Sequence, residues 1–345
     1  MNGTTQNTTA GATTVDRNAQ PLLRIDGLSV DFSTEHGWVN VVNDVSFDLP
    51  HGAIVGLVGE SGSGKSVTCQ SILQLIPQPP GRITSGRIEF EGRDLLSLTP
   101  RQLRSVRGAE IAMIFQEPMT SLNPAFTIGN QIVEVVRRHK GADRKTARAR
   151  AIEVLDLVGI PRAADRLDQY PHEFSGGMRQ RAMIAMALAA EPKLLIADEP
   201  TTALDVTIQA QVLELIRGLA KDLDMGVLFV THDLGVVADV CDQVVVMYGG
   251  QVFESASTAE IFEKPAHLYT EALLRSRPSI EEVVDLQVIP GAPPLPFEMP
   301  PGCRFAPRCT EYEAQCDEPV QLLQVAPERM SRCVRGPLMI AGGNR

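Results

Sequence analysis

The sequence has no long apolar run. Its longest unbroken one, AMIAMALAA from Ala182 to Ala190, is far short of the roughly 20 residues that cross a bilayer. It also lacks the basic start and apolar stretch of an export signal. Residues 1–20 are rich in Thr, Asn and Gly instead and read as a disordered tail. Positive charge is in deficit: 32 Lys and Arg against 42 Asp and Glu leave a formal net charge of −10. That balance gives no pull toward nucleic acid or anionic lipid, so no nucleic-acid partner is expected. Close cysteine pairs are missing too, since no C-x-x-C occurs among the six cysteines. Cys69 and Cys241 stand singly in apolar surroundings and read as buried small side chains. The other four, Cys303, Cys309, Cys316 and Cys333, share one short C-terminal stretch, with five, six and sixteen residues between them. Without an export signal the expected compartment is reducing, where such a cluster points to metal more than to disulfides.

What is present is an ordinary globular composition, 43% hydrophobic over 345 residues, enough for one large core and an appendage. From Leu22 to Leu49 apolar and polar residues alternate on either side of TEHG, which predicts antiparallel strands. AIVGLVG, Ala53 to Gly59, reads as a buried strand, and GKSVTCQSILQLI after it as a helix. GRIEFEGRDL adds a strand with a glycine turn. From about 96 to 178 the composition turns to Arg, Gln, Ala and Glu at helical spacing, which predicts a mainly helical insertion. KLLIAD (193–198) and GVLFVTHD (226–233) restore strand character around a helix, and VVVMYGGQVFE predicts a hairpin turning at Gly249 and Gly250. Strands alternating with helices argue a mostly parallel α/β core. Dense prolines between Pro290 and Pro307 deny that stretch regular helix or central strand, so a boundary is expected near 260–285.

The segment GESGSGKS fits the eight-position phosphate-loop pattern between an apolar strand and a helix. Gly59, Glu60, Ser61, Gly62, Ser63, Gly64, Lys65, Ser66 and Val67 are therefore the expected cradle. Gly62 and Gly64 let backbone N–H groups surround phosphate oxygens, and the helix N-terminus adds positive potential. Lys65 reaches the β- and γ-phosphates of ATP, and the Ser66 hydroxyl ligates Mg²⁺. KLLIADEP delivers Asp198 at a strand end for the Mg²⁺ shell, with Glu199 next as the general base toward water. Gln116, in MIFQEP, is placed to contact Mg²⁺ or that water. His232, in VLFVTHD, is placed on the γ-phosphate side, although a histidine at a strand end is by default a structural residue.

These elements, in this order, resemble the ABC transporter ATPase family over residues 22–260. The stretch FSGGMRQRAMIAMALAAEPKLLIADEPTTALD, Phe174 to Asp205, carries the likeness most specifically. It contains a signature of Ser175, Gly176 and Gly177 with Gln180 and Arg181 after it, and a D-loop of Ala203, Leu204 and Asp205. The resemblance implies that this serine-glycine helix tip meets ATP held by a second ABC ATPase subunit, so that two nucleotides are sandwiched between two subunits. It also implies an aromatic stack on adenine, which alignment puts at His36, with Phe32 or Trp38 as alternatives.

QEPMTSLNPAFTIGNQI and the terminal PGCRFAPRC resemble the oligopeptide and dipeptide importer branch. In some of its members a similar tail carries a [4Fe–4S] cluster. Four thiolates suit such a cluster or one Zn²⁺, and plain reduced cysteines are the third reading. The expected fold is a P-loop ABC ATPase domain over 21–262, with a mostly parallel sheet core, an antiparallel β subdomain and a helical subdomain at about 96–178. A cysteine-containing appendage follows at 263–345. The expected function is ATP hydrolysis energising a di- or oligopeptide importer at the cytoplasmic face of the cell membrane. Partners would be a related ATPase or a second copy, two transmembrane permease subunits and an extracytoplasmic solute-binding protein. The alternatives are a soluble ABC ATPase acting on ribosomes or DNA, or an importer of another solute such as nickel. The soluble types usually carry paired ATPase units or long coiled coils, which this sequence lacks.

Overall fold

A computed structural model describes residues 20–115, 121–201, 205–276 and 289–341. The tail expected over 1–20 lies outside these residues except for Gln20, and so do Gln116, Ala203 and Leu204.

The alternating N-terminal stretch folds as expected. Strands β1 (Leu23–Thr34) and β2 (Gly37–Leu49) form an antiparallel hairpin that closes at the pair Thr34 and Gly37. Leu23, Ile25, Leu28 and Val30 from β1, and Val42, Val45 and Leu49 from β2, are buried. Register shifts within the pairing keep these side chains inward where strict alternation breaks. After β3 (Ile54–Val58) and helix α1 (Lys65–Ile72), strand β4 (Gly81–Phe90) returns to pair with β1, followed by the short β5 (Arg93–Asp94).

Among the described residues the second sheet has eight strands in the order β11-β12-β10-β9-β3-β8-β7-β6. Here β6 is Ile111–Ile114, β7 Leu194–Asp198, β8 Gly226–Thr231, β9 Gln243–Tyr248, β10 Gln251–Ser257, β11 Leu323–Ala326 and β12 Arg329–Ser331. The run β9-β3-β8-β7-β6 is parallel throughout. Its strands are apolar at nearly every position because both faces are covered. Ile54, Val58, Leu195, Ala197, Val227, Phe229, Val244 and Val246 face one hydrophobic cluster. Their alternates, Val55, Leu57, Leu194, Ile196, Leu228, Val230, Val245 and Met247, face the other. The second cluster packs α1 and the antiparallel sheet; the first packs the helices.

Those helices are capped by residues legible in the sequence. Thr99 caps α2 (Pro100–Val106), Thr127 caps α3 (Ile128–Lys140) and Asp143 caps α4 (Arg144–Leu157). After the single turn α5 (Ala163–Arg166), Ser175 caps α6 (Gly176–Leu188) and Asp205 caps α7 (Val206–Asp222). Asp233 caps α8 (Leu234–Val240). Among the described residues no helix is long and apolar enough to cross a membrane.

Two features within the expected bounds go beyond the sequence reading. The stretch expected to be helical over about 96–178 contains β6, a strand of the central sheet. Its four residues, IAMI, are too few to display a period of two, and Arg-rich helical sequence flanks them. The stretch expected as an appendage after 262 is not a separate layer. Its strand β12 pairs with β10 at Glu254 and Ser255, and β11 extends the same sheet. The hairpin at Gly249 and Gly250 forms as expected, with Tyr248 opposite Gln251. Phe229 is fully buried at the middle of the parallel run. Its replacement by alanine is expected to cost about 3–5 kcal/mol, read as a lowered urea midpoint at constant slope.

Candidate functional site

A parallel sheet collects chemistry at the carboxyl ends of its strands. Val58 of β3 pairs with Thr231 of β8, Val230 of β8 with Asp198 of β7, and Ala197 of β7 with Ile114 of β6. Neighbouring strands lie about 4.8 Å apart. The residues that follow, Gly59, His232, Glu199 and Phe115, therefore share one edge.

Glycine at position 59 is required by space, since a Cβ there would meet the Met247 carbonyl oxygen at 2.0 Å. Gly62 and Gly64 have φ of +79° and +96°, a region that side chains disfavour. Gly64 is the N-cap of α1 and offers no side-chain cap, so the first amides of that helix stay available to an anion. Lys65 is nearly buried, and its Nζ donates to the Gly59 and Glu60 carbonyls at 2.8 and 2.9 Å and approaches Ser63 Oγ at 3.3 Å. Burial lowers its pKa, opposed by the charges of Glu199 and Asp198. Ser61 and Gly62 are exposed or nearly so, and Val67 packs against the cluster below.

Ser66 Oγ donates to Asp198 Oδ1 at 3.1 Å. Burial raises the Asp198 pKa, the Ser66 hydrogen bond opposes this, and neighbouring Glu199 adds to it. A hydroxyl and a carboxylate in contact are hard oxygen donors of the kind Mg²⁺ takes together with substrate phosphates. Glu199 follows in a left-handed conformation, φ +48°, uncommon for a residue with a side chain. Its N–H still donates to the Val230 carbonyl at 3.0 Å, while its Oε1 lies 3.4 Å from His232 Nδ1. The two residues thus meet at the sheet edge as a carboxylate and an imidazole. Gln116, expected beside them, lies outside the described residues.

Ser175 and Gly176 stand at the start of α6, where Gly176 is exposed and Ser175 Oγ accepts from the Met178 N–H at 3.3 Å. Gly177 is close to α7: a Cβ there would meet Ile208 Cγ2 at 2.9 Å. Gln180, expected among the nucleotide contacts, is buried and donates to the carbonyl of Pro200, next to Glu199. Asp205 accepts from the Ile208 N–H at 2.9 Å, a helix cap. His36 sits at the hairpin tip against Phe297, ring centroids 4.3 Å apart. The other two aromatic candidates are engaged elsewhere. Trp38 lies under the Arg82 guanidinium at 3.7 Å, and Phe32 packs into the core below the antiparallel sheet.

Cys303, Cys309, Cys316 and Cys333 all line one small cavity of about 10 Å³, with Phe305, Ala306 and Arg332 among its other walls. That is space for about one water, so a larger inorganic group would displace the thiols outward. Among the described residues no three His, Cys, Asp or Glu side chains are grouped to hold a metal ion. Burial pushes the Cys303 thiol up to about 11 and raises Cys309 and Cys333 as well, and the neighbouring cysteines add to each shift. Cys69 and Cys241 are buried as expected.

Sequence reasoning missed the groups that brace the phosphate loop from the C-terminal third. Tyr269 Oη accepts from the Glu60 N–H at 3.1 Å, and the Gly250 N–H donates to the Ser63 carbonyl at 2.9 Å. Lone residues so distant along the chain carry no local pattern that would reveal such contacts.

The family described as ABC transporter matches residues 42–202, and the one described as Oligopeptide/dipeptide transporter, C-terminal region, matches 253–316. The chain is 54% identical to an oligopeptide transport ATP-binding protein of Bacillus subtilis, OppD, covering 86% of this chain and 83% of that one. It is 51% identical to the dipeptide transport ATP-binding protein of the same organism, covering 86% and 89%. Among solved structures it resembles the dimeric ATP-binding cassette MJ0796 in a post-hydrolysis state with ADP and Pi. That match has a TM-score of 0.61 at 25% identity and covers 68% of this chain and 98% of that one.

The raised Asp198 pKa has a definite sign. Burial that disfavours the charged carboxylate costs stability once the group is ionised, and that cost disappears as pH falls below its ordinary range. Asp198→Asn is therefore expected to raise the melting temperature of the magnesium-free protein by about 2 °C at neutral pH while abolishing magnesium-dependent ATP turnover. Calorimetry and a phosphate-release assay check the two halves.

Proposed function

The chain belongs to the ABC transporter ATPase family, and from that membership we propose that it is the ATP-hydrolysing subunit of a di- or oligopeptide importer. The observation that carries the peptide assignment is the match of residues 253–316 to the C-terminal region of oligopeptide and dipeptide transporters. Identity to the two Bacillus subtilis proteins over most of the chain supports it. In this reading residues 21–262 are the ATPase domain and 263–345 its peptide-branch extension.

ATP lies with its triphosphate in the loop Gly59–Ser66 and its base against His36. Lys65 neutralises the β- and γ-oxygens, and the amides at the open end of α1 hold the rest. Ser66 and Asp198, with Gln116 as a further contact, would hold Mg²⁺, whose charge would offset the negative charge on the transferred phosphoryl group. Glu199 orients the attacking water and accepts its proton, and His232, 3.4 Å away, steadies that carboxylate on the γ-phosphate side. The tip Ser175–Gly177 faces the triphosphate of a second ATPase subunit, which closes over it. Closure drives two permease subunits, supplied by an extracytoplasmic binding protein, with this chain on the cytoplasmic side. Coupling of this kind requires that ATP bind the closed pair more tightly than the open one.

Glu199→Gln is expected to leave ATP binding within twofold and to lower turnover about 100-fold or more. Cells carrying it in place of the native chain should cease to take up di- and oligopeptides; uptake of peptides at the native rate would exclude the assignment.

The four-cysteine cavity is proposed to hold an inorganic group, a [4Fe–4S] cluster with Zn²⁺ as the alternative, on Cys303, Cys309, Cys316 and Cys333. Four thiols from one loop system and its neighbouring strand end supply soft donors, and they would have to move outward from the present small cavity to admit the group. Such a group would act as a staple for this proline-rich stretch. Because burial raises three of the thiols, binding must displace their protons, so retention is expected to fall as pH drops. Protein isolated without air should contain about four irons and matching labile sulfide. Stoichiometric zinc would select the alternative, and neither metal would leave reduced cysteines.

A further inference from the structure

The loop CRFAPRC, residues 303–309, carries two buried arginines between its cysteines. Neither belongs to the nucleotide motifs. Arg308 reaches across the molecule to the phosphate loop: its Nη1 donates to Glu60 Oε2 at 2.8 Å and to Tyr248 Oη at 3.2 Å. The rest of its fork is spent on fixing the side chain. Nε donates to the Pro290 carbonyl at 2.9 Å, and Nη2 approaches the Gly291 carbonyl at 3.4 Å. Arg304 donates to the Gly249 carbonyl and approaches Asn40 Oδ1 at 3.4 Å. Its turn partner, Gly250, in turn donates to Ser63. One seven-residue loop therefore grips the phosphate loop at two points, at Glu60 directly and at Ser63 through the hairpin.

The electrostatics give the grip a purpose. Glu60 is an acid inside a loop that must receive a polyanion, and its N–H is already fixed by Tyr269. Left unpaired, its carboxylate would repel the triphosphate at short range, where screening is weak. The Arg308 side chain is 6% exposed and that of Glu60 23%, so the pair is shielded enough for the compensation to matter. A buried guanidinium with its carbonyl partners in place is also poorly able to swing away.

We infer that Arg308 is a positioning residue for the nucleotide site, a latch by which the cysteine loop holds Glu60 away from the triphosphate and keeps the phosphate loop ordered. It touches no nucleotide itself. The latch makes ATP affinity depend on the order of a loop 248 residues away in sequence, whatever group the cysteines carry.

The test measures the dissociation constant of a fluorescent ATP analogue and steady-state kinetics on the full chain. Arg308→Ala is expected to weaken binding and raise KM about tenfold while kcat stays within twofold, since the lost interaction acts on binding and not on the transition state alone. Adding Glu60→Gln to Arg308→Ala should recover most of the affinity, because it removes the uncompensated charge. Arg308→Lys should fall between wild type and Arg308→Ala. If Arg308→Ala does not fold, Arg308→Gln carries the same expectation. Unchanged affinity in the folded Arg308 variant, or a loss of kcat equal to the loss of affinity with no recovery by Glu60→Gln, overturns the latch.

Discussion

The chemistry of this protein rests on the register of its parallel strands. Asp198, Glu199 and His232, the groups proposed for catalysis, sit at a strand end or just beyond it, and the strand interiors place those ends. The pairing of Val58 with Thr231, of Val230 with Asp198 and of Ala197 with Ile114 sets the spacing of phosphate loop, histidine, carboxylates and the chain leading to Gln116. Burial on both faces enforces that register. Slipping any central strand by one residue would exchange its two sets of side chains between the two hydrophobic clusters, and a close-packed interior does not absorb such a change of volumes. Packing far from the nucleotide is thus what fixes angstrom-scale geometry at it.

The same constraint explains the tension inside the site. Glu199 is driven into a left-handed turn because β7 must end at Asp198 while the next carboxylate has to point back along the edge toward His232. Lys65 and Asp198 are both held where burial disfavours their charged forms. A protein selected for stability alone would replace them with apolar residues. Their presence marks the places where stability is conceded to phosphate and metal chemistry.

Legibility in the sequence followed the locality of the physics. The phosphate loop was readable because its chemistry needs consecutive residues: glycines for amide access, a lysine and a hydroxyl at the helix start. The strand delivering Asp198 and Glu199 was readable because four apolar residues ending in two acids, paired with such a loop, suit metal and water chemistry better than a solvated turn. The hairpin at Gly249 and Gly250 was readable from its turn chemistry. Strand β6 was not, because four residues of IAMI between helices show no period. The docking of β12 onto β10 was not, because strand pairing across 75 residues, from Ser255 to Met330, leaves no local trace. Gln180 fell between the two: its place in the signature was plain, but its burial against Pro200 was a tertiary fact. Arg308 and Tyr269 lay wholly beyond local reading, since only the fold brings them to Glu60.

The two glycine-rich helix starts differ in a way that bears on the proposed pairing of two subunits. At α1 the cap is a glycine without a side chain, the lysine beside it is buried, and the flanking turns enclose the amides. That end suits the tight hold on a phosphate group proposed for it. At α6 the cap is Ser175, whose hydroxyl already satisfies the Met178 amide, and the tip has open space at the Gly176 side-chain position. A capped, open tip is a weak anion site by itself, because solvent competes for its dipole. It becomes strong only when a second surface excludes water from it, as the dielectric argument requires. In the proposed pairing, a subunit bearing one enclosed end and one open end gains most by facing another of its kind, where each enclosed phosphate would supply the charge that the opposite open tip lacks.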